Sequence, residues 1–225
     1  MSAADPCVDL LLRLAACPSV NPNRQPITGA PFGEDRITGL LTDLVRSWGA
    51  ATTVTEVQPR RPNLVATFKG LDTSRSLLFE AHSDTVPPDP TLPESSTPVV
   101  KGGRMHGRGV CDTKGAMAAM LCGIRQVLDQ DGQLPITIHF ASCCDEELGA
   151  NGSHHLVRSG FRADACVVGE PTGMKIINMH KGVVRARITA RGVAAHSSDP
   201  SKGVNAIYRM IPVLQALEER VSPAL

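Results

Sequence analysis

Four short runs of this chain are predominantly apolar and show no alternation: NLVATF at 63–68, SLLFEA at 76–81, ITIHFAS at 136–142 and ACVVG at 165–169. A strand with one wet face alternates apolar and polar residues, whereas a strand covered on both faces does not. These runs therefore require a sheet sandwiched between helices. Residues 34–48 supply one helix, with Ile37, Leu40, Leu41, Leu44 and Val45 at i, i+3, i+4, i+7 and i+8 and Gly49 placed to end it. Thr113 to Asp129 supplies another, with Met117, Met120, Leu121, Ile124 and Leu128 inward. At the N-terminus Asp5 can cap a third, Pro6 suits its first turn, and Val8, Leu11, Leu12 and Ala15 share a face. Residues 87–104, rich in Pro, Ser and Gly, read as surface loop. The fold class that follows is a three-layer α/β domain with a central mixed, largely parallel sheet, over residues 1–177.

The pattern changes near residue 178. In HKGVVRARITARG, Val184, Ala186, Ile188 and Ala190 alternate with Arg185, Arg187, Thr189 and Arg191, the signature of a strand with one apolar and one basic face. A helix follows with Val204, Ile207, Tyr208, Ile211 and Leu214 inward and a kink at Pro212. One open-faced strand and one helix read as the start of a smaller α+β domain over 178–225.

Lys+Arg number 23 and Asp+Glu 22, for a net charge of +1. No block of like charge suggests nucleic-acid binding or a polybasic membrane patch. No segment approaches the roughly 18 apolar residues of a membrane span, and the N-terminus lacks the basic start of a signal peptide. The seven cysteines are odd in number and include no CxxC pair, which indicates neither a disulfide framework nor a zinc knuckle. The reading is a cytoplasmic protein with reduced, mostly buried thiols.

The polar residues at the strand ends carry the chemistry. SLLFEA runs into His82 and Asp84, GRMHGRGVCDTKG delivers Asp112 before a helix, ITIHFAS delivers Glu146 and Glu147, and ACVVG delivers Glu170. Open α/β sheets place their sites at the carboxyl ends of strands, so these groups can meet on one rim. So many carboxylates beside one His need cations. His82 and Asp84 point the same way along a strand, so Asp84 can hold Nδ1–H and leave Nε2 for a metal. Asp112, among glycines 102, 103, 107, 109 and 115 that let the backbone pass close, offers two oxygens to two ions. Glu146 and Glu147 must diverge, one toward a metal and one toward water. HxD or DEE alone is weak, and from the residues alone His196 is a loop histidine; the order and the strand context supply the specificity.

HSDTVP, GRGVCDTKGAMAAML, DEELGANG, VVGEPTG and GVAAHSSDPSKGVNAI together resemble the dinuclear-zinc amidohydrolase and metallopeptidase family of acetylornithine deacetylase, succinyl-diaminopimelate desuccinylase, aminoacylase and glutamate carboxypeptidase. MHKG at 179–182 and AHSSDPSKGVNAI most resemble acetylornithine deacetylase. The resemblance implies two zinc ions per full-length subunit, with cobalt as a substitute. His82 and Glu170 would hold one ion, Glu147 the other, and Asp112 would bridge. Asp84 would orient His82, and Glu146 would be the general base for a water held between the metals. His196 would reach a partner's active site in a homodimer formed through the lid domain. The resemblance also implies a cis peptide bond after Asp112.

Two departures stand out. The family's last zinc ligand is a histidine in a segment returning from the lid, and nothing before Leu225 can take that role, so the chain reads as an N-terminal fragment that is inactive alone. The loop DPTLPESSTPV at 89–99 lacks the Trp-containing stretch many relatives carry. The expected activity of the full-length parent is hydrolysis of the amide bond of an N-acyl amino acid. The alternatives are a dipeptidase or carboxypeptidase of the same family and, for this chain, a non-catalytic metal-binding or dimerisation module.

Overall fold

The four expected strands lie side by side in one sheet, three of them central and the last, at 165–168, an exposed edge strand. The computed structural model describes residues 5–184 and 186–221. Its elements in chain order are α1 (Pro6–Ala16), α2 (Asp35–Ser47), β1 (Ala51–Gln58), β2 (Arg61–Phe68), β3 (Asp72–His82), α3 (Pro93–Ser96), β4 (Val99–Lys101), β5 (Arg104–His106), α4 (Lys114–Asp131), β6 (Ile136–Cys143), α5 (Asn151–Arg158), β7 (Ala165–Val168) and α6 (Ala206–Arg220). Two compact units divide between Ile176 and Ile177. No helix among the described residues is long and apolar enough to cross a membrane.

In the first unit the five-stranded sheet has the order β1-β2-β6-β3-β7. Parity along each strand sorts the two covered faces. Leu64, Ala66 and Phe68 of β2, Leu77, Phe79 and Ala81 of β3, and Ile138 and Phe140 of β6 pack with α1, α2 and α4. Leu78, Ala141 and Cys143 face the other way, onto Leu156 of α5. That is the three-layer arrangement, and it explains why these strands show no alternation. The pairs β6/β3 and β3/β7 are parallel, while β1/β2 and β2/β6 are antiparallel. The sheet is thus evenly mixed rather than largely parallel. The difference comes from β1, an edge strand whose ATTVTEVQ alternates and carries no continuous apolar signal. It joins β2 through a hairpin at Pro59 and Arg60, the latter at φ +60°.

Local details also differ from expectation. Asp5 accepts the Cys7 N–H and caps α1 as expected, but of the expected face Val8, Leu11, Leu12 and Ala15 only Leu11 packs against the core, beside the buried Leu10 and Leu14. The run DLLLRLAA can be phased either way, and packing against α4 decides. The 87–104 loop contains the β4/β5 hairpin, with Gly102 and Gly103 at its tip at φ +58° and +72°. Those two glycines turn a hairpin and do not admit a metal.

In the second unit no strand forms among the described residues of 178–191, and Arg185 lies outside them. A strand exists only through a hydrogen-bonded neighbour. The described residues here offer a single bridge, Val193 with Val204. Asn205 caps α6 through the N–H groups of Ile207 and Tyr208, and the helix continues through Pro212. Its expected inward residues Ile207, Tyr208, Ile211 and Leu214 are exposed, because no described element of this unit covers that stripe.

One close approach fixes the turn after β6. The Gly152 N–H donates to the Cys144 carbonyl at 3.0 Å, and Asn63 Nδ2 donates to the Gly152 carbonyl at 2.8 Å. A Cβ at Gly152 would lie 2.4 Å from the Cys144 oxygen and 2.6 Å from Asn63 Oδ1. Gly152→Ala is expected to cost about 2 kcal/mol. Gly123→Ala, in the exposed middle of α4 with open space around it, should instead stabilise by about 0.5–1 kcal/mol. Urea denaturation of the two variants beside the parent checks both signs.

Candidate metal centre

The parallel trio β6, β3 and β7 ends on one edge. His82 closes β3 opposite Cys143, the last residue of β6, and β7 leads through Gly169 to Glu170, with the Gly169 N–H donating to the Glu80 carbonyl at 2.8 Å. Asp112 arrives just before α4 and is joined to Thr113 by a cis peptide bond. The adjacent Gly109, at φ +79°, leaves room for Thr85 and the Lys114 stem, which a Cβ would meet at 2.8 and 3.2 Å.

The imidazole of His82 is the hub. Its Nε2 lies 2.9 Å from Asp112 Oδ1, 3.8 Å from Glu170 Oε1 and 3.8 Å from Glu146 Oε2. Its Nδ1 is 2.9 Å from the Asp84 backbone carbonyl and 3.5 Å from Asp84 Oδ1. The main chain of Asp84, more than its carboxylate, therefore holds the ring. His82, Asp112 and Glu170 each offer a donor atom, all within 4.8 Å of one another. Glu147 turns elsewhere, accepting the Val86 N–H at 3.1 Å. His196 lies in the second unit, exposed, with Nδ1 2.7 Å from Ser198 Oγ.

The Asp84 carboxylate has a different occupation. Oδ1 accepts the Glu146 N–H at 3.0 Å, and Oδ2 accepts the Glu147 N–H at 3.2 Å and Asn21 Nδ2 at 2.7 Å. Burial pushes this carboxyl up, but hydrogen bonds from His82, Asn21 and the Glu146 N–H outweigh it and hold it below the usual carboxylate range. Asp145 points inward from the same turn at φ +65°. It accepts Arg61 Nη1 at 2.7 Å and Asn21 Nδ2 at 3.0 Å, and it bonds Asn151. Arg61 also grips Glu34 through Nε and Nη2 at 2.9 and 2.5 Å. Burial works against the Arg61 charge, yet the carboxylates of Glu34 and Asp145 hold the guanidinium even more firmly protonated than usual.

A family model described as peptidase family M20/M25/M40 matches residues 78–223. The chain belongs to that family. The curated relatives of this M20 chain include the acetylornithine deacetylase of Vibrio cholerae, 34% identical over 190 residues that cover 82% of this chain and 49% of the relative. The acetylornithine deacetylase of Myxococcus xanthus is 37% identical over 158 residues, 69% of this chain and 40% of the relative. The chain spans about half the length of the curated relatives it matches. Among solved structures, a tripeptidase from Staphylococcus aureus superposes with TM-score 0.62 at 22% identity, covering 93% of this chain and 55% of that one. An M20 family metallo-carboxypeptidase from Sulfolobus solfataricus gives 0.60 at 21%, covering 73% and 37%. These likenesses establish the fold.

The M20 family implies a divalent metal, and the donors fit one. An imidazole nitrogen and two carboxylate oxygens are the ligand types such ions take. Their electrostatics point the same way. Burial pushes Glu170 up to about 7, opposed by the attraction of His82 and assisted by repulsion from Asp112, Glu146 and Glu80. Burial opposes a charge on His82, but Asp84, Asp112 and Glu146 raise it to about 10. The site holds more negative charge than its own side chains can balance.

Sequence reasoning missed Asn21, Glu34 and Arg61. Each lies far along the chain from the motifs, and Glu34 reads in sequence as the first residue of an amphipathic helix. The one available signal was a charge-pair requirement, since Asp145 at the end of a buried strand needs a cation, and Arg61 opens the neighbouring strand.

A pH dependence follows for the metal-free protein. Folded Glu170 keeps a proton that the unfolded chain releases near pH 4.5, and folded His82 keeps one that the unfolded chain releases near 6.5. Where the folded state holds more protons, stability falls as pH rises. Denaturation midpoints in chelator are expected to fall from about pH 5 to 8, by at most about 1.4 kcal/mol per pH unit for each proton involved. His82→Gln should flatten the part above pH 6.5. A variant curve parallel to the parent's would contradict the assignment.

Proposed function

We propose that the protein is a metal-dependent amide hydrolase acting on an N-acyl amino acid, in the manner its acetylornithine deacetylase relatives are named for. The convergence of His82, Asp112 and Glu170, with Glu146 facing the same imidazole edge, is the observation that carries the reading. Zinc is the proposed metal, two per full-length subunit, with cobalt as a substitute. His82 and Glu170 would hold one ion, Asp112 would be shared, and Glu147 would serve the other. When bound, the cations supply Lewis acidity that polarises an amide carbonyl and acidifies water.

The rest of the chemistry belongs to side chains. Glu146, half exposed and anchored through its own N–H to Asp84, takes a proton from water and returns it to the departing amine. Asp84 keeps the His82 ring and the Glu146–Glu147 main chain in register for that exchange. The proposal extends to His196 as oxyanion donor to a partner subunit. The Ser198 N–H donates to His196 Nδ1 at 3.2 Å, which places the proton of the neutral ring on Nε2, the donor such a role needs. The exposed stripe Ile207, Tyr208, Ile211 and Leu214 of α6 supports dimerisation through this unit.

Glu146→Gln in the full-length protein is expected to retain its metal while hydrolysis of N-acetyl amino acids falls by about 10²–10⁴. His82→Ala is expected to lose metal and activity together. Metal analysis and single-turnover assays on the two proteins separate a base from a ligand. Loss of metal in Glu146→Gln, or turnover that survives it, would overturn the assignment.

A further inference from the structure

Away from the metal centre two thiols face each other. Cys7 sits on the first turn of α1 and Cys122 in the middle of α4, and the two share one cavity beside the α1–α4 contact. Both are half-buried and free. Both line a cavity of about 630 Å³ that also touches Asp9, Arg13, Trp48 and Arg125. The pairing is built into the helix packing. At the other end of the contact, Lys114 Nζ donates to the Cys17 carbonyl at 2.8 Å. The start of α1 therefore lies along the middle of α4, at the cavity that Cys7 and Cys122 share, while Cys17 meets the start of α4, so the two helices run antiparallel. The remaining cysteines differ in setting: Cys143 and Cys144 are buried, and Cys111 and Cys166 are exposed on separate segments.

We propose that Cys7 and Cys122 form a reversible redox site that reacts with a low-molecular-weight disulfide of the glutathione type, giving an intramolecular disulfide between α1 and α4. The Cys7 thiolate attacks one sulfur of that disulfide, forming a mixed disulfide and releasing one thiolate. Cys122, deprotonated in turn, attacks the Cys7 sulfur and expels the second thiolate. Two protein thiols are oxidised to one disulfide, one small disulfide is reduced to two thiols, and the two protons pass to the released thiolates. The order follows from the surroundings. Burial and the neighbouring Cys7 push Cys122 up to about 11, so Cys122 acts second, once Cys7 is capped. The cavity gives the reagent access to both sulfurs. The product ties the N-terminal helix to the helix that begins two residues after Asp112, closing the chain between residues 7 and 122.

The test is treatment of the purified protein with oxidised glutathione, followed by intact-mass measurement and peptide mapping. The expected product has lost two hydrogen atoms, links the Cys7 and Cys122 peptides, and reverts with dithiothreitol. Cys7→Ser and Cys122→Ser should each lack that link, and Cys122→Ser should stop at a glutathione adduct on Cys7. In the parent protein, a persistent adduct at Cys7, a bridge between other cysteines, or no reaction at either residue would overturn the proposal.

Discussion

The carboxylate of Asp84 is buried almost completely, and the geometry of the metal edge depends on it. An isolated carboxylate in that position would be neutralised by its desolvation cost. It stays ionised because the Glu146 and Glu147 N–H groups and the Asn21 amide all donate to it. Those bonds also fix the turn that presents Glu146 and Glu147, while the Asp84 carbonyl fixes the His82 ring. One residue therefore ties the end of β3 to the turn after β6. The tie is reinforced where Ser19 Oγ donates to the Ser83 carbonyl at 2.6 Å and the Ser83 N–H donates to the Cys143 carbonyl at 2.8 Å.

Behind this turn lies the group of Glu34, Arg61 and Asp145, each nearly inaccessible. Burying ions costs several kcal/mol each before pairing, so such a group adds little net stability and is weak as a reason for the fold. Its effect is to specify one arrangement. Arg61 is satisfied only when α2 brings Glu34, β2 brings the guanidinium and the turn after β6 brings Asp145 at once. Removing Arg61 would leave Glu34 and Asp145 buried without their cation, a penalty of about 3–5 kcal/mol. The first acidic residue of DEEL is therefore structural, and only the second and third face the solvent edge.

Much of this was legible in the sequence. The continuous apolar runs gave β2, β3 and β6, because strands covered on both faces leave that pattern; the same pattern gave β7, although that strand is exposed at the sheet edge in this chain. The heptad-like spacing gave α2 and α4, and the strand-end rule gathered His82, Asp112, Glu146 and Glu170. β1 escaped because its ATTVTEVQ alternates and contains no continuous apolar run. The expected strand near 184–190 did not appear because alternation reports which face would be covered, not whether a neighbour exists to bond. Asn21, Glu34 and Arg61 escaped for a third reason. Their partners are 63 to 124 positions away or belong to other elements, and local pattern carries no information about such pairs.

The acidic residues at this edge fall into two classes, and the division is itself a functional argument. Glu34, Asp84 and Asp145 receive internal donors to match their charge. Asp112, Glu146 and Glu170 are gathered around the shared edge of one imidazole, and Glu170, pushed first by burial and further by its acidic neighbours, rises to about 7. A fold that can neutralise three carboxylates with Arg61, Asn21 and main-chain N–H groups is not short of means to neutralise three more. Leaving them unbalanced costs stability in the metal-free state, as is characteristic of a site completed by a ligand. The charge left uncompensated here is what a divalent cation of the kind the M20 family implies would neutralise, with one imidazole nitrogen and carboxylate oxygens as its candidate donors.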